Sequence, residues 1–576
     1  MSYTQLDRHI SIHTVLGTDA LLLQSVTGYE GISRPFNFDC TLLSENPAIP
    51  FEKIIGQKAT IVLNVRDAEP RYINGFVSQF AQSGSDVRFT HYRAQVVPWL
   101  WFLGRTADCR IFQNMTPPDI VKKVFTDLGF QDFKDVLQGG FDPCEYCVQY
   151  RETDLNFVSR IMERYGLFYF FEHQKDKHTL VLANSPAAHQ PCPGQAEARY
   201  EYDSSGVEDE NAITGWNLEQ TLRPGRYALA DYNFETPSTS LEVNADSRNS
   251  AGRSFEIFDY PGDYAKMAAG EAIVKMRMQE EEMPGKAANG ASTCRAFTPG
   301  YRFDLKEHYR PDVNTAYVLT EVRHVASVGT SYSGSGAGPD NASYSNQFAA
   351  IPHSSPYRPA RITPRPLVQG PQTAVVVGKK GEEIWVDKYG RVKVQFHWDR
   401  EGKLDEESSR WIRVSQTWAG KGWGSMHIPR IGQEVIVDFL EGDPDRPLVT
   451  GRVYNAEQLP PYALPAEQTK STMKSMSSKG GGGFNELRFE DAKGKEQIFI
   501  HAEKNQDIRV KNDLYETIGQ DSHLTITKDR LAKIGGDDHL QIAGDRNEKV
   551  GGTISINAGT DWQQKAGMNY ALNAGM

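Results

Sequence analysis

The C-terminal part of the chain repeats every eight residues, from about residue 505 onward. Glycine occupies one position of most repeats, and a second position holds branched apolar residues that give way to alanines. Aspartate occupies a third position, interrupted once by Thr553: Asp513, Asp521, Asp529, Asp537, Asp545 and Asp561. A short fixed period sustained over this length indicates a repeat architecture and limits what the segment can fold into.

Within each repeat, apolar residues alternate with polar ones, as at Leu524 and Ile526 or Ile554 and Ile556. A period of two predicts a β-strand with one buried face. Aspartate and glycine are typical turn residues, because aspartate bonds its own backbone and glycine accepts positive φ. Each repeat therefore predicts a short strand followed by a corner. One such strand cannot enclose a core, so three walls are needed at each level, from one chain or from three chains.

The number of apolar positions favours three chains. Each repeat offers one strongly apolar position, sometimes two, so the interior must be narrow, and closed winding leaves no free sheet edge. With strands stacked about 4.8 Å apart, the repeats would form a shaft of roughly 40 Å. We predict an intertwined trimeric octad-repeat β-helix over residues 485–576. Its predicted core is Val510, Ile518, Ile526, Ile534, Ile542, Val550, Ala558 and Ala566.

The charge balance and the cysteines exclude several classes of protein. The 576 residues include 63 basic and 74 acidic side chains, a net charge of −11, which argues against nucleic acid or an anionic membrane as the main partner. The N-terminus has no signal-peptide pattern, so we expect a cytoplasmic protein that is exported, if at all, without one. Of the six cysteines only Cys144 and Cys147 are close in sequence. A zinc site would need a second pair, so we expect reduced cysteines and no metal.

The rest of the chain predicts a mainly β protein with a few helices. Residues 1–365 read as strands with capped helices at 116–129 and 153–166 and a third at 264–282. A Ser/Gly-rich stretch at 327–345 reads as an exposed loop. Residues 372–455 carry five short strand signals between glycine-containing turns, at 373–377, 391–397, 411–415, 433–440 and 448–454, which suit an OB-fold. Residues 357–371 and 456–484 read as linkers.

Several motifs resemble one known family. Residues 108–114 (Asp-Cys-Arg-Ile-Phe-Gln-Asn) and 149–155 (Gln-Tyr-Arg-Glu-Thr-Asp-Leu) resemble the hub half of VgrG, the spike of the type VI secretion system. Residues 430–435 (Arg-Ile-Gly-Gln-Glu-Val) and 441–447 (Glu-Gly-Asp-Pro-Asp-Arg-Pro) resemble its OB-fold. Residues 484–491 (Phe-Asn-Glu-Leu-Arg-Phe-Glu-Asp) and the following repeats resemble its shaft.

The resemblance implies the fold and the partners of the whole assembly. It implies a phage-tail-hub-like domain of two β-barrel subdomains with inserted helices, then the OB-fold and the needle. The homotrimer would sit with its wide end on a tube of Hcp rings and carry a PAAR-repeat protein at its tip. A contracting sheath would drive it through a target membrane, with effector proteins and baseplate components as further partners. Since an open needle end exposes unpaired strands, we expect either the PAAR partner or further native sequence to cover it.

Other functions fit less well. The sequence contains no Gly-x-Ser-x-Gly elbow, no His-Glu-x-x-His pair and no phosphate-binding loop, so we expect no catalytic residue and no cofactor. His397 and His427 are best explained as structural or surface histidines. A spike-type carrier with an enzymatic effector module beyond this chain's end is the alternative.

Nucleic-acid binding would rest on fold analogy alone. The tryptophans at 385, 398, 411, 418 and 423 could stack bases, but such residues more often pack a barrel core or a subunit contact, and the acidic turn at 441–445 would repel phosphate. A trimeric surface adhesin would need a signal peptide and a membrane anchor, and neither is visible in the sequence.

Overall fold

A computed structural model of the chain describes residues 3–6, 8–65, 69–201, 211–248, 254–329, 332 and 343–575. The chain divides into two compact units, Met1–His501 and Ala502–Met576. Most of the stretch expected to be a loop at 327–345 lies outside the described residues.

The first unit begins with a set of antiparallel strands in the spatial order β1-β4-β5-β6-β3-β2. Their bounds are β1 (Ile10–Thr14), β2 (Leu22–Gly31), β3 (Arg34–Ser44), β4 (Lys58–Leu63), β5 (Arg71–Ser85) and β6 (Thr90–Val97). On β3 the alternate residues Phe36, Phe38, Cys40 and Leu42 are buried, as the period of two requires. These side chains form the largest hydrophobic core of the chain, together with residues of the helices described below.

The same sheet continues through β2 into a second group of strands, in the order β19-β18-β12-β13-β17-β20. Their bounds are β12 (Glu197–Tyr200), β13 (Ala212–Gln220), β17 (Lys286–Ser292), β18 (Arg302–Lys306), β19 (Ala316–Ser327) and β20 (Ser343–Pro352). Strand β20 pairs with β17 on one side and with β19 on the other, so this group closes into a ring. Closure leaves no free sheet edge in this group.

Three helices and smaller sheets are inserted between these strands. The helices are α1 (Pro117–Asp127), α2 (Asp154–Arg164) and α3 (Met267–Glu282). Thr116 and Thr153 cap α1 and α2 by accepting backbone N–H bonds from Asp119 and Asn156. Helix α3 begins three residues later than expected, because Tyr264 turns into the core and its hydroxyl donates to the Leu229 carbonyl at 3.1 Å. The inserted strands are β7 (Ala107–Phe112), β8 (Phe133–Asp135), β9 (Cys147–Thr153), β10 (Phe168–His173), β11 (His178–Ala183), β14 (Arg226–Leu229), β15 (Val243–Asp246) and β16 (Glu256–Asp259).

Residues 372–454 form a five-stranded barrel, here called the small barrel. The strand order is β22-β21-β24-β25-β23. A bridge between Val392 and Ile412 joins the two ends of this order. The strand bounds are β21 (Gln372–Val377), β22 (Lys393–Phe396), β23 (Arg413–Val414), β24 (Glu434–Phe439) and β25 (Pro447–Val453). All five strand predictions for this region, and with them the mainly β fold class with an OB-fold, are confirmed.

The segment 456–484, expected to be a linker, carries a strand. Its strand β26 (Lys470–Lys474) pairs with β27 (Glu486–Glu490), which pairs with β28 (Gln497–His501). The interpretation as a linker rested on proline and glycine content. Composition does not predict β26, because this strand is stabilised by a partner strand further along the chain. Thr472, for example, faces Arg488 in the ladder, sixteen residues away in sequence.

Candidate functional site: interdomain joint and assembly segment

Strands β7 and β9, which carry the two hub motifs, pair antiparallel and enclose a buried arginine. The Arg110 guanidinium donates to Gln149 Oε1 at 2.8 and 3.0 Å and to Asp154 Oδ1 at 2.7 Å. Removing one partner of a buried ion pair leaves the other charge buried without a partner, which typically lowers the free energy of unfolding by about 3–5 kcal/mol. The two motifs are therefore one structural unit that fixes the start of α2.

The same unit contacts the small barrel. Arg400 of the barrel donates to both carboxylate oxygens of Asp108 at 2.7 Å. Gln113 donates to the Glu407 carbonyl at 2.6 Å. Residues at both ends of the first hub motif thus hold the barrel loop that follows β22.

The second OB-fold motif, residues 441–447, also contacts the hub. Asp445 Oδ1 accepts the Val148 backbone N–H at 2.6 Å, and its other oxygen lies 3.9 Å from Arg164. Burial, followed by the neighbouring Asp443 carboxylate, raises the pKa of Asp445 to about 6, while Arg160 and Arg164 act in the opposite direction. We call these contacts of residues 108–113 and 148–164 with residues 400–446 the interdomain joint.

The chain between the two domains is also fixed. Thr363 donates its N–H and its hydroxyl to the Glu163 carboxylate at 2.9 and 2.6 Å. Arg365 donates to Asp263 at 2.6 Å. The cavity beside them measures about 170 Å³, below the usual size of a ligand pocket. The joint therefore fits a mechanical connection better than a binding site.

The second unit shows the eight-residue period in its backbone. The chain bends at 511–512, 519–520, 527–528, 535–536, 543–544, 551–552, 559–560 and 567–568, with straight stretches of six residues between the bends. All of its described residues except the half-buried Ala502 are exposed in the single chain. The predicted core side chains from Val510 to Val550 are between 42% and 57% exposed, a range that argues for contact with something outside the chain.

A second unpaired apolar surface lies on the sheet of β26–β28. In the ladder Met473 faces Leu487, which faces Ile500, and Phe489 faces Ile498. These five side chains share one face, here called the open face, and all but the half-buried Leu487 are exposed. The opposite face, here called the polar face, is mostly polar and partly covered, with Arg488 donating to the Tyr462 hydroxyl at 2.8 Å. Exposed contiguous apolar surface of this kind marks an interaction site.

The remaining residues singled out from the sequence are dispersed. All six cysteines are free, and burial raises the pKa of the Cys144 and Cys147 thiols. His397 lies 3.1 Å from the Thr373 hydroxyl, whereas His427 lies beside Ser425 on another loop. Of the tryptophans, Trp398 stacks on Phe396 and Trp385 on Trp411, but Trp418 and Trp423 are exposed.

Sequence reasoning missed both the joint and the open face. In the sequence, the residues of the joint are visible only as parts of separate motifs. Nothing in the spacing of these motifs indicates that residues 108–113, 148–164 and 400–446 are in contact. The open face could have been found, because Leu487 and Phe489 alternate with charged residues before a glycine-containing turn. Ile498 and Ile500 continue the spacing of two after this turn, although the residue between them is Phe499.

Family models match three regions of the chain in order. Residues 29–330 match the phage tail baseplate hub (GPD), and residues 372–454 match the type VI secretion system/phage-baseplate injector OB domain. Residues 471–576 match the bacteriophage T4 gp5 C-terminal trimerisation domain. The fold and these matches define the class: a baseplate hub and spike protein whose C-terminal segment matches a trimerisation domain.

Curated relatives narrow the class to one family. The spike protein VgrG1b of Pseudomonas aeruginosa is 46% identical over 526 residues, which are 90% of this chain and 70% of the relative. VgrG1a of the same organism is 45% identical over 89% of this chain and 80% of its own length. The actin cross-linking toxin VgrG1 of Vibrio cholerae is 35% identical over 88% of this chain and 47% of its own length. The chain belongs to the VgrG family of type VI secretion system spike proteins.

Solved structures share the fold. An Escherichia coli component of the type VI secretion system, described as structurally similar to the T4 tail proteins gp27 and gp5, superposes with a TM-score of 0.55 at 21% identity. The match covers 77% of this chain and all of that one. A chain of the lidded Francisella PdpA–VgrG complex superposes with a TM-score of 0.53 at 8% identity, over 86% of this chain and 80% of its own. Among the described residues, none of the helices combines the length and apolar character that crossing a bilayer requires.

Proposed function

We propose that three copies of this chain form a spike that stands on the Hcp tube, carries a PAAR-repeat protein at its tip and is driven through a target membrane by sheath contraction. The observation that carries this proposal is the eight-residue period of the backbone, with apolar side chains left exposed on the single chain. A rod that pierces a membrane must transmit axial force, and three chains wound with paired backbones would resist buckling.

We propose the residues Val510, Ile518, Ile526, Ile534, Ile542, Val550, Ala558 and Ala566 as the dry centre of this rod. They recur at one position of the repeat, and the bends fall at the next two positions. The division of the chain would be a hub at 1–365, the OB-fold at 372–455, a connecting segment at 456–484 and the needle at 485–576. Strand β26 and the open face support an axial assembly that already begins within the connecting segment.

The proposed role is mechanical, with no catalytic step, cofactor or metal in this chain. Effector proteins and baseplate components would bind the spike, and nucleic acid would not. The protein would be made in the bacterial cytoplasm and leave it through the secretion machine itself. A carrier with a toxin module on the same polypeptide is the second candidate function, supported by the Vibrio cholerae relative that is named an actin cross-linking toxin.

The mass of the purified protein in solution tests the assembly. We expect three times the 64.6 kDa of one chain. Ile526→Asp would place three carboxylates at the proposed centre and is expected to give single chains, because charges buried without partners are costly. The matched control, Thr525→Asp, changes the neighbouring side chain that points outward on an alternating strand, and its trimer should persist. Single chains in the wild type, or an intact trimer of Ile526→Asp, would contradict the proposal.

A further inference from the structure

Two exposed tryptophans project from the small barrel on a tight hairpin, residues 418–425, here called the Trp hairpin. The rings of Trp418 and Trp423 meet edge to face with their centroids 5.1 Å apart. The Gly420 N–H donates to the Trp423 carbonyl at 2.9 Å, and the Ser425 N–H donates to the Trp418 carbonyl at 2.8 Å. Gly424 has φ +137°, and a Cβ there would lie 2.4 Å from the Trp418 carbonyl oxygen, so only glycine fits. The hairpin therefore presents both rings from a fixed support.

Both indoles are largely open to solvent, Trp418 to 64% and Trp423 to 58%, and the nearby Met426 is exposed as well. Exposing two large aromatic side chains on a rigid loop is unfavourable unless another surface covers them. Tryptophan is also enriched among the interface residues whose truncation to alanine weakens binding most. A fixed support lowers the conformational entropy that these side chains lose when they contact a partner. The hairpin thus has the properties of a preorganised contact.

The chain that follows the hairpin contacts the trimerisation segment. Arg430 donates to the Met476 carbonyl at 2.9 Å. The next residue, Ile431, donates its N–H to the Glu383 carbonyl at 3.0 Å. The Glu383 carboxylate in turn accepts the Gly480 N–H at 2.8 Å and the Ser478 hydroxyl at 2.9 Å. The contacted residues from Met476 to Gly480 fall within 471–576, the region matched as a trimerisation domain. The Trp hairpin is therefore continuous with the region that matches a trimerisation domain.

We propose that the Trp hairpin of one chain packs against the small barrel of a second copy, forming a subunit contact outside the needle. This inference rests on the proposed trimer. A second copy is favoured over an unrelated partner because each barrel holds its own trimerisation segment, so threefold assembly brings three identical barrels together. Tyr454 at the end of the small barrel and Leu459 shortly after it are both exposed. The Gln458 side chain, next to Leu459, donates to the Gly432 carbonyl of the barrel at 2.6 Å.

Hydroxyl-radical footprinting of the full-length wild-type protein tests the contact, with the mass in solution measured on the same sample. Trp418 and Trp423 should oxidise several-fold more slowly than the same residues in urea-unfolded protein. Tyr309, an exposed aromatic residue of the hub, is the internal control and should lose little of its reactivity on folding. A trimeric mass with slow oxidation of both indoles supports the inference.

Two other results would overturn it. A trimeric mass with Trp418 and Trp423 as reactive as in unfolded protein would reject the subunit contact and leave the trimer standing. A single-chain mass would reject the proposed function as well. Independently, Trp418→Ala with Trp423→Ala should lower the temperature at which the trimer dissociates, whereas the control Tyr309→Ala should not, and equal temperatures would contradict the contact.

Discussion

Individual charged side chains stabilise the contact between the hub and the small barrel. Asp445 belongs to the barrel by sequence, yet it accepts a hydrogen bond from the Val148 backbone of the hub and faces the Arg164 guanidinium. Burial and the Asp443 carboxylate disfavour its charge more strongly than the two arginines favour it, which is why its pKa rises to about 6. The joint therefore contains a carboxyl group that titrates near neutral pH.

This titration predicts a pH dependence. The folded-state pKa of Asp445, about 6, lies above the ordinary value of 3.8, so the folded protein binds the proton more tightly than the unfolded chain does. The stabilisation that results is complete below about pH 3.8 and is lost as the pH rises through 6. The free energy of unfolding of the wild type, relative to Asp445→Asn, should fall by about 1 kcal/mol between pH 5 and pH 7. Denaturant titrations at the two pH values measure it. Asp438→Asn, in the same barrel, is the control and should show no such difference, and a wild-type advantage that grows with pH would contradict the assignment.

The strands differ in whether one chain can cover them. In β3 and in the small barrel, alternating apolar residues find partners within the chain and are buried. The sheet of β26–β28 has the same alternation, but only its polar face is covered, by Tyr462 and neighbouring side chains. The open face and the repeats that follow it are therefore where we expect a second and a third chain to complete the apolar contacts.

Substitution on the open face tests this conclusion. Ile498→Glu would place a charge at a position expected to be dry in the trimer, and fully burying an isoleucine is worth about 1.5–3 kcal/mol. The trimer of this variant should dissociate at a higher protein concentration than the wild type, as measured by the mass in solution on dilution. Gln497→Glu lies on the polar face of the same strand and should leave the dissociation unchanged. Equal behaviour of the two variants would show that the open face is not a subunit contact.

The whole chain combines a unit that folds on itself with one that does not. Residues up to His501 contain the buried cores, whereas the described residues from 503 onward are all exposed. A chain of 576 residues is long enough to support several cores, so the exposed unit is not a consequence of size. The folding of the domains therefore depends on the first unit, whereas we expect assembly to depend mainly on the needle, with a further contact at the Trp hairpin.

Removing the needle should separate these two properties. A chain ending at residue 484 should keep the near-ultraviolet circular dichroism of the folded hub and barrel but should have the mass of a single chain. Removing a segment outside the hub leaves the buried cores intact, whereas it takes away the repeated apolar positions and two of the three strands that carry the open face. A trimer that survives this truncation would move the main subunit contact into the hub or the Trp hairpin.

Local patterns in the sequence were sufficient for much of this protein. The caps at Thr116 and Thr153, the five strands of the small barrel and the eight-residue period are short-range signals, since each depends on residues within a few positions of one another. They predicted the helices, the OB-fold and an assembly that needs three chains.

Only the tertiary structure revealed the interdomain joint, the strand within 456–484 and the apolar face that the single chain leaves open. Arg110 meets Asp154, and Val148 meets Asp445, across 44 and 297 residues of sequence. The free energy of such contacts depends on burial and on partners that are distant in the chain, and neither is encoded in the spacing of neighbouring residues.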